Sequence, residues 1–116
     1  MKVIIAGGRD YHLVRKDWQV IKFWRDKGFI THVVSGACKG VDTTAETWAR
    51  MNRVPVKQFP ADWNKYGKAA GPIRNAQMAK YADAVILFPG GRGTANMRKL
   101  AKEHGLEILY DAEGEK

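Results

Sequence analysis

Five short runs, at residues 2–6, 32–35, 55–59, 84–88 and 107–110, read as strands and alternate with longer segments of helical periodicity. That alternation constrains the chain more than any other feature, because β-α-β-α order with short links builds a parallel sheet covered by helices. The helix candidates fall at 11–27, 41–52, 72–81 and 94–104. Val14, Trp18, Ile21 and Trp24 keep near-helical spacing in the first, and Ala45, Trp48 and Ala49 do so in the second. Trp18, Trp24 and Trp48 are therefore read as core or helix-packing residues. Gly28 and Gly105 stop the first and fourth helices, and Pro72 suits the first turn of the third. The predicted fold is α/β: a doubly wound, mostly parallel five-stranded sheet with helices on both faces. A chain of 116 residues with 45% hydrophobic and 28% charged content suits one domain, 1–116, with a substantial core. Residues 111–116 are a charged tail expected to fray.

Composition excludes several classes of function. No apolar run approaches transmembrane length, and the start, Lys2-Val3-Ile4-Ile5-Ala6, is too short for a signal-peptide core. Cytoplasmic residence with no membrane partner is the expectation. The single cysteine, Cys38, forms no internal disulfide, and His12, His32 and His104 lie too far apart in pattern for a zinc site, so no metal is expected. Cys38 has no nearby histidine to activate it as a nucleophile. The net charge of +8 suits an acidic partner such as a nucleotide or a nucleic acid. The basic residues are dispersed, however, which suits solvated helix faces equally well.

In a doubly wound sheet the loops that follow the strands emerge on one edge, where ligands bind. All four such loops are unusual. The first is Gly7-Gly8-Arg9-Asp10, and the second runs Ser35-Gly36-Ala37-Cys38-Lys39-Gly40-Val41-Asp42. The third is a long aperiodic stretch, 60–71, with Asp62, Trp63 and Tyr66, leading into Arg74-Asn75. The fourth is Pro89-Gly90-Gly91-Arg92-Gly93-Thr94. Its glycines permit positive φ and close approach of a ligand to backbone N–H groups, and Thr94 can cap the following helix. Arg9 and Arg74 can clamp phosphate oxygens, with Lys39 as a point charge; the plain alternative is surface ion pairing with Asp10 or Asp42. Trp63 and Tyr66 either stack on a base or cover the sheet edge. Asp10 and Asp42 can take a ribose hydroxyl, and Asp42 or Asp62 can serve as a general base. Neither a dinucleotide G-x-G-x-x-G fingerprint nor a Walker A ending is present, so no dinucleotide or other resident cofactor is expected.

Taken in order, Gly7-Gly8-Arg9-Asp10, Ser35-Gly36-x-x-x-Gly40-x-Asp42, Asp62-Trp63-x-x-Tyr66-Gly67-x-x-Ala70-Gly71-Pro72-x-Arg74-Asn75-x-x-Met78 and Pro89-Gly90-Gly91-x-Gly93-Thr94 resemble the SLOG superfamily. The closest resemblance is to its YspA, cpYpsA-related branch, often written YAcAr. The resemblance covers nearly the whole chain and implies a Rossmann-like fold whose strand-end loops bind nucleotides or nucleotide-derived ligands. More distant relatives include the Lonely-guy phosphoribohydrolases and the DNA-processing A proteins, which hold single-stranded DNA. Relatives often place their sites near subunit contacts, so a homo-oligomer is an expectation.

The Lonely-guy enzymes cleave N-glycosidic bonds with a Pro-Gly-Gly-x-Gly-Thr-x-x-Glu motif and an upstream arginine, for which Arg74 is the counterpart. Here the glutamate position falls on Met97, next to Asn96. A methionine neither moves a proton nor stabilises an oxocarbenium-like centre. The expected function is therefore binding, by sensing or sequestering, of a nucleotide or nucleotide-derived signal. N-glycosidic hydrolysis or transfer is the alternative, with Asp42, Asp62 and Arg74 as its candidate residues, and single-stranded nucleic-acid binding is a third reading. The expected ligand contacts are Gly7, Gly8, Arg9, Asp10, Ser35, Gly36, Lys39, Gly40, Asp42, Asp62, Trp63, Tyr66, Arg74, Asn75, Pro89, Gly90, Gly91, Gly93 and Thr94.

Overall fold

Strand β1 (Lys2–Ala6) holds three consecutive side chains, Val3, Ile4 and Ile5, fully out of water. Successive strand residues point to opposite faces, so Val3 and Ile5 join one apolar cluster while Ile4 joins another. A strand of this kind is stable only with helices on both sides. The computed structural model, which describes residues 1–113, supplies them. Helices α1 (Arg15–Asp26) and α2 (Val41–Met51) cover one face through Ile21, Val41, Ala45 and Ala49. The other face takes α4 (Ala70–Tyr81) and α5 (Arg92–Glu103) through Met78, Met97 and Ala101.

The remaining strands are β2 (His32–Ser35), β3 (Val56–Gln58), β4 (Ala84–Leu87) and β5 (Glu107–Asp111). All neighbours pair in parallel, in the order β3-β2-β1-β4-β5. Every residue of β4 is buried, as expected of a strand covered on both faces. An irregularity in the β4–β5 register pairs Val85 with Ile108 and Ile86 with Tyr110.

Four local expectations are corrected. First, α1 begins at Arg15 rather than Tyr11. The Asp17 carboxylate accepts the Val14 N–H at 2.9 Å and so caps the helix there. Second, the same helix turns Asp17 inward, fully buried, and leaves Trp18 37% exposed, so Trp18 is not a core residue. Trp24 and Trp48 do pack against the core. Third, residues 60–71 are not an irregular loop. Asp62 caps a one-turn helix, α3 (Trp63–Tyr66), and a 3-10 turn (Gly67–Ala69) leads directly into α4. Fourth, Asp111 belongs to β5, where Arg98 holds it, and is not part of a frayed tail. Ala112 and Glu113 follow as an ordered turn, and 114–116 lie outside the described residues.

A candidate ligand cleft at the switch point

The chain leaves β1 toward the α1–α2 face, and β4 leads to α5 on the other. The turns after these two neighbouring strands therefore diverge, and a cleft opens between them. Its volume is about 910 Å³. The two turns are laced together, with the Gly8 N–H donating to the Pro89 carbonyl at 2.9 Å. A Cβ at Gly8 would stand 3.2 Å from the Gly90 Cα, and one at Gly90 would collide with the Thr94 hydroxyl. The cleft floor is thus bare backbone because the two turns touch.

The turn glycines do not adopt positive φ as expected. That conformation occurs instead at Gly40, with φ +79°, where α2 begins. Nor does Thr94 cap α5. The N-cap is Gly91, and Thr94 lies buried inside the first turn. No side chain caps α5, and its first turn borders the cleft. Oriented N–H groups at such a helix start favour an anion.

Across from this turn, Arg74 is buried on α4 and reaches the loop after β2. Its Nη1 donates to the Gly36 carbonyl and lies 3.6 Å from the Cys38 Sγ, while its Nε donates to Asn75 Oδ1 at 2.9 Å. Asn75 in turn donates to Asn96 Oδ1 at 2.9 Å. A side-chain relay therefore runs from α5 through α4 to the loop after β2. Gly36 makes room for it: a Cβ there would lie 2.7 Å from Arg74 Nη1 and 3.0 Å from Asp42 Oδ2. Burial pushes the Asp42 carboxyl up to about 6, and the nearby Glu46 carboxylate adds to that. The Cys38 N–H, donated to Asp42 at 3.2 Å, and the Arg74 charge oppose it.

Of the expected contact residues, the cleft gathers Gly7, Gly8, Arg9, Asp10, Gly36, Asp42, Trp63, Arg74, Asn75, Pro89, Gly90, Gly91, Gly93 and Thr94. Ser35, Lys39, Gly40, Asp62 and Tyr66 do not line it. The Ser35 hydroxyl donates to the buried Glu46 carboxylate at 2.5 Å, which is also held by Gln58. Gly40 serves the start of α2, Asp62 caps α3, and Lys65 lies over the Tyr66 ring at 5.1 Å from its centroid. Trp63 is 48% exposed, so it does not seal the sheet edge. Its ring packs on Gly71 and faces the cleft. Ion pairs among the described residues join Lys22 and Arg25 to Asp26, Arg50 to Glu46, and Arg98 to Asp111, leaving Arg9, Lys39 and Arg74 out.

Sequence reasoning missed Tyr11, Lys68, Arg92 and Glu113, all of which line the cleft. Arg92 stands inside the glycine motif and was open to discovery there. Tyr11 donates its hydroxyl to Asp17 at 2.5 Å, a bond that, with burial, pushes its phenol up to about 12 and keeps it neutral. Met97, buried in the core beneath α5, also reaches the cleft wall.

An all-parallel sheet with this strand order and a cleft at its switch point defines a Rossmann-like α/β protein. Within that class, the chain belongs to the YspA, cpYpsA-related SLOG family, whose model matches residues 1–66. The match takes in the first two glycine loops and ends before Arg74 and the Pro-Gly-Gly turn. Membership points to nucleotide-related binding or processing as the broad area of function. The chain is also similar to the Gene 61 protein of Mycobacterium phage D29, 35% identical over 85 residues, which cover 66% of this chain and 68% of that protein. No solved structure matches it significantly. No helix among the described residues is long and apolar enough to cross a membrane.

Proposed function

We propose that the protein binds a nucleotide or nucleotide-derived ligand in the switch-point cleft and holds it intact. The observation that carries this reading is the pair Gly91 and Gly93. A Cβ at either position meets nothing within 4 Å, yet both line the cleft at the start of α5. Glycine inside a helix costs up to about 1 kcal/mol relative to alanine, and no packing constraint offsets that at Gly93. Bare backbone there serves a group from outside the chain, and a phosphate suits the N–H groups that the first turn presents. Arg9, Lys68 and Arg92 surround the same cleft with positive charge, and Trp63 offers a half-exposed ring on which a base can stack. Asp10 or Asp42 would take a ribose hydroxyl.

Met97 favours holding over cleaving, since it places a thioether where Lonely-guy enzymes carry their glutamate. One observation supports the alternative of N-glycosidic cleavage. Asp42, with its carboxyl near 6, is in the right range to exchange a proton at neutral pH. Native mass spectrometry of the purified protein tests the first reading, with a retained nucleotide as the expected result. Incubation with AMP and NAD, followed by chromatography, separates the two: intact ligand supports binding, and free base or nicotinamide shifts the assignment to an enzyme.

A further inference from the structure

Strand β5 does not end the chain's contribution to the cleft. Arg98 grips Asp111 through two bonds, Nε to Oδ2 at 2.6 Å and Nη2 to Oδ1 at 2.8 Å. The Ala112 N–H donates to the Leu87 carbonyl at 2.9 Å, and the Glu113 N–H donates back to Asp111 Oδ1 at 3.0 Å. These bonds aim Glu113 across the end of the sheet. Its Oε1 accepts the Gly90 N–H at 3.0 Å, and the side chain joins the cleft wall.

Gly90 is the middle of the Pro-Gly-Gly turn, directly before the uncapped start of α5. On the reading above, this is where a phosphate oxygen is held. A carboxylate is the nearest thing to a phosphate oxygen that a polypeptide carries, and here it stands on the same donor. We propose that Glu113 is a built-in competitor for the phosphate position, seated on the Gly90 N–H until a phosphate group displaces it. The proposal rests on the nucleotide reading and adds a selection rule to it. A phosphate dianion brings more charge and three acceptor oxygens to the turn and to Arg92, so it displaces a single exposed carboxylate. A neutral nucleoside brings neither advantage. Such a ligand leaves Glu113 seated, whereas every phosphate-bearing ligand gives up the cost of displacing it, so Glu113 sets how strong an anion must be to occupy the turn.

The test compares the full chain with its Glu113→Gln variant, titrated calorimetrically with AMP, adenosine and inorganic phosphate. Glu113 is exposed, so the variant keeps the fold, which its melting temperature checks. Replacing a charge-assisted bond by a neutral one predicts AMP and phosphate binding tighter by roughly fivefold in the variant, with adenosine changed less. The Gly90 amide resonance is expected to shift in Glu113→Gln before any ligand is added. Equal or weaker AMP binding by the variant, where the parent chain binds AMP, overturns the competitor and leaves the nucleotide site standing. An unmoved Gly90 amide also overturns it. Absence of AMP and phosphate binding in both chains overturns the site and the competitor together.

Discussion

Most of the glycines in and beside the cleft fall into two groups with opposite reasons for being there. Gly7, Gly36, Gly40 and Gly90 are closed: an added Cβ would strike Val41, the Arg74–Asp42 pair, the backbone of Gly8 and Arg9, and Thr94, respectively. Gly91 and Gly93 are open, with nothing for a Cβ to meet. The closed group is explained by the fold, since it lets two turns and two loops converge on one point. The open group has no such explanation inside the protein. A motif of alternating glycines therefore mixes positions that build the cleft with positions that keep it accessible, and the two respond differently to substitution.

The largest effect is expected at a closed position. Gly40→Ala forces a side chain into backbone at φ +79°, a conformation that L residues rarely adopt. Strain and overlap together cost on the order of 4 kcal/mol, a large part of the stability of a domain this size. Urea unfolding measures it, and a loss under 1 kcal/mol would dissolve the distinction between the groups.

Next comes the charge buried behind Gly36. The Asp42 carboxyl is raised to about 6, chiefly by burial, from an ordinary value near 3.8. The folded state thus holds its proton more tightly than the unfolded state. Its contribution to stability is fully present below about pH 4 and is lost as pH rises to about 6, by up to about 3 kcal/mol. Asp42→Asn has no such proton, so the stability difference between the chain and this variant should shift across that window and stay level above it. Denaturant midpoints at pH 4, 5, 6 and 7 test this, and a difference that does not move with pH refutes the buried-carboxylate account.

An open position should show the reverse pattern. Gly91→Val adds a branched side chain at the cleft from a Cβ position that meets nothing within 4 Å, so the fold and its melting temperature are expected to hold. Binding of AMP or of the co-purifying nucleotide should fall by roughly 100-fold, the cost of losing backbone approach together with about two hydrogen bonds to an anion. Calorimetry measures that loss. Unchanged affinity in a folded Gly91→Val variant would remove the central reading of the cleft.

What could be read in the chain beforehand follows the range of the interactions involved. Strand positions were readable to within a residue or two because fully buried strands must be apolar on both faces, as Ala84 to Leu87 are. The glycine loops were readable because their residue type is itself the signal. Trp18 was misread because helical spacing marks a stripe without saying which side of it faces the sheet. Asp17 instead turned inward, drawn by the Tyr11 hydroxyl and the Val14 N–H. The turn at Trp63–Tyr66 is a single helical turn, too short to show a period. Ser35 and Glu46, like Gly90 and Glu113, meet only after the sheet is assembled, and no local pattern announces such partners.

The smallest predicted effect is the sharpest discriminator between the two groups. Gly93 lies inside α5, where alanine is the better helix former by about 0.5–1 kcal/mol and where its methyl would point into open space. Gly93→Ala should therefore stabilise the protein by that amount, raising the denaturant midpoint, while weakening phosphate-bearing ligands several-fold. Stability and affinity moving in opposite directions from one methyl group is the signature of a position kept bare for a ligand. Stabilisation with unchanged affinity would mean that the ligand never approaches this turn. A destabilised Gly93→Ala chain would mean that the position is closed after all, and that the division between the two kinds of glycine is wrong where it matters most.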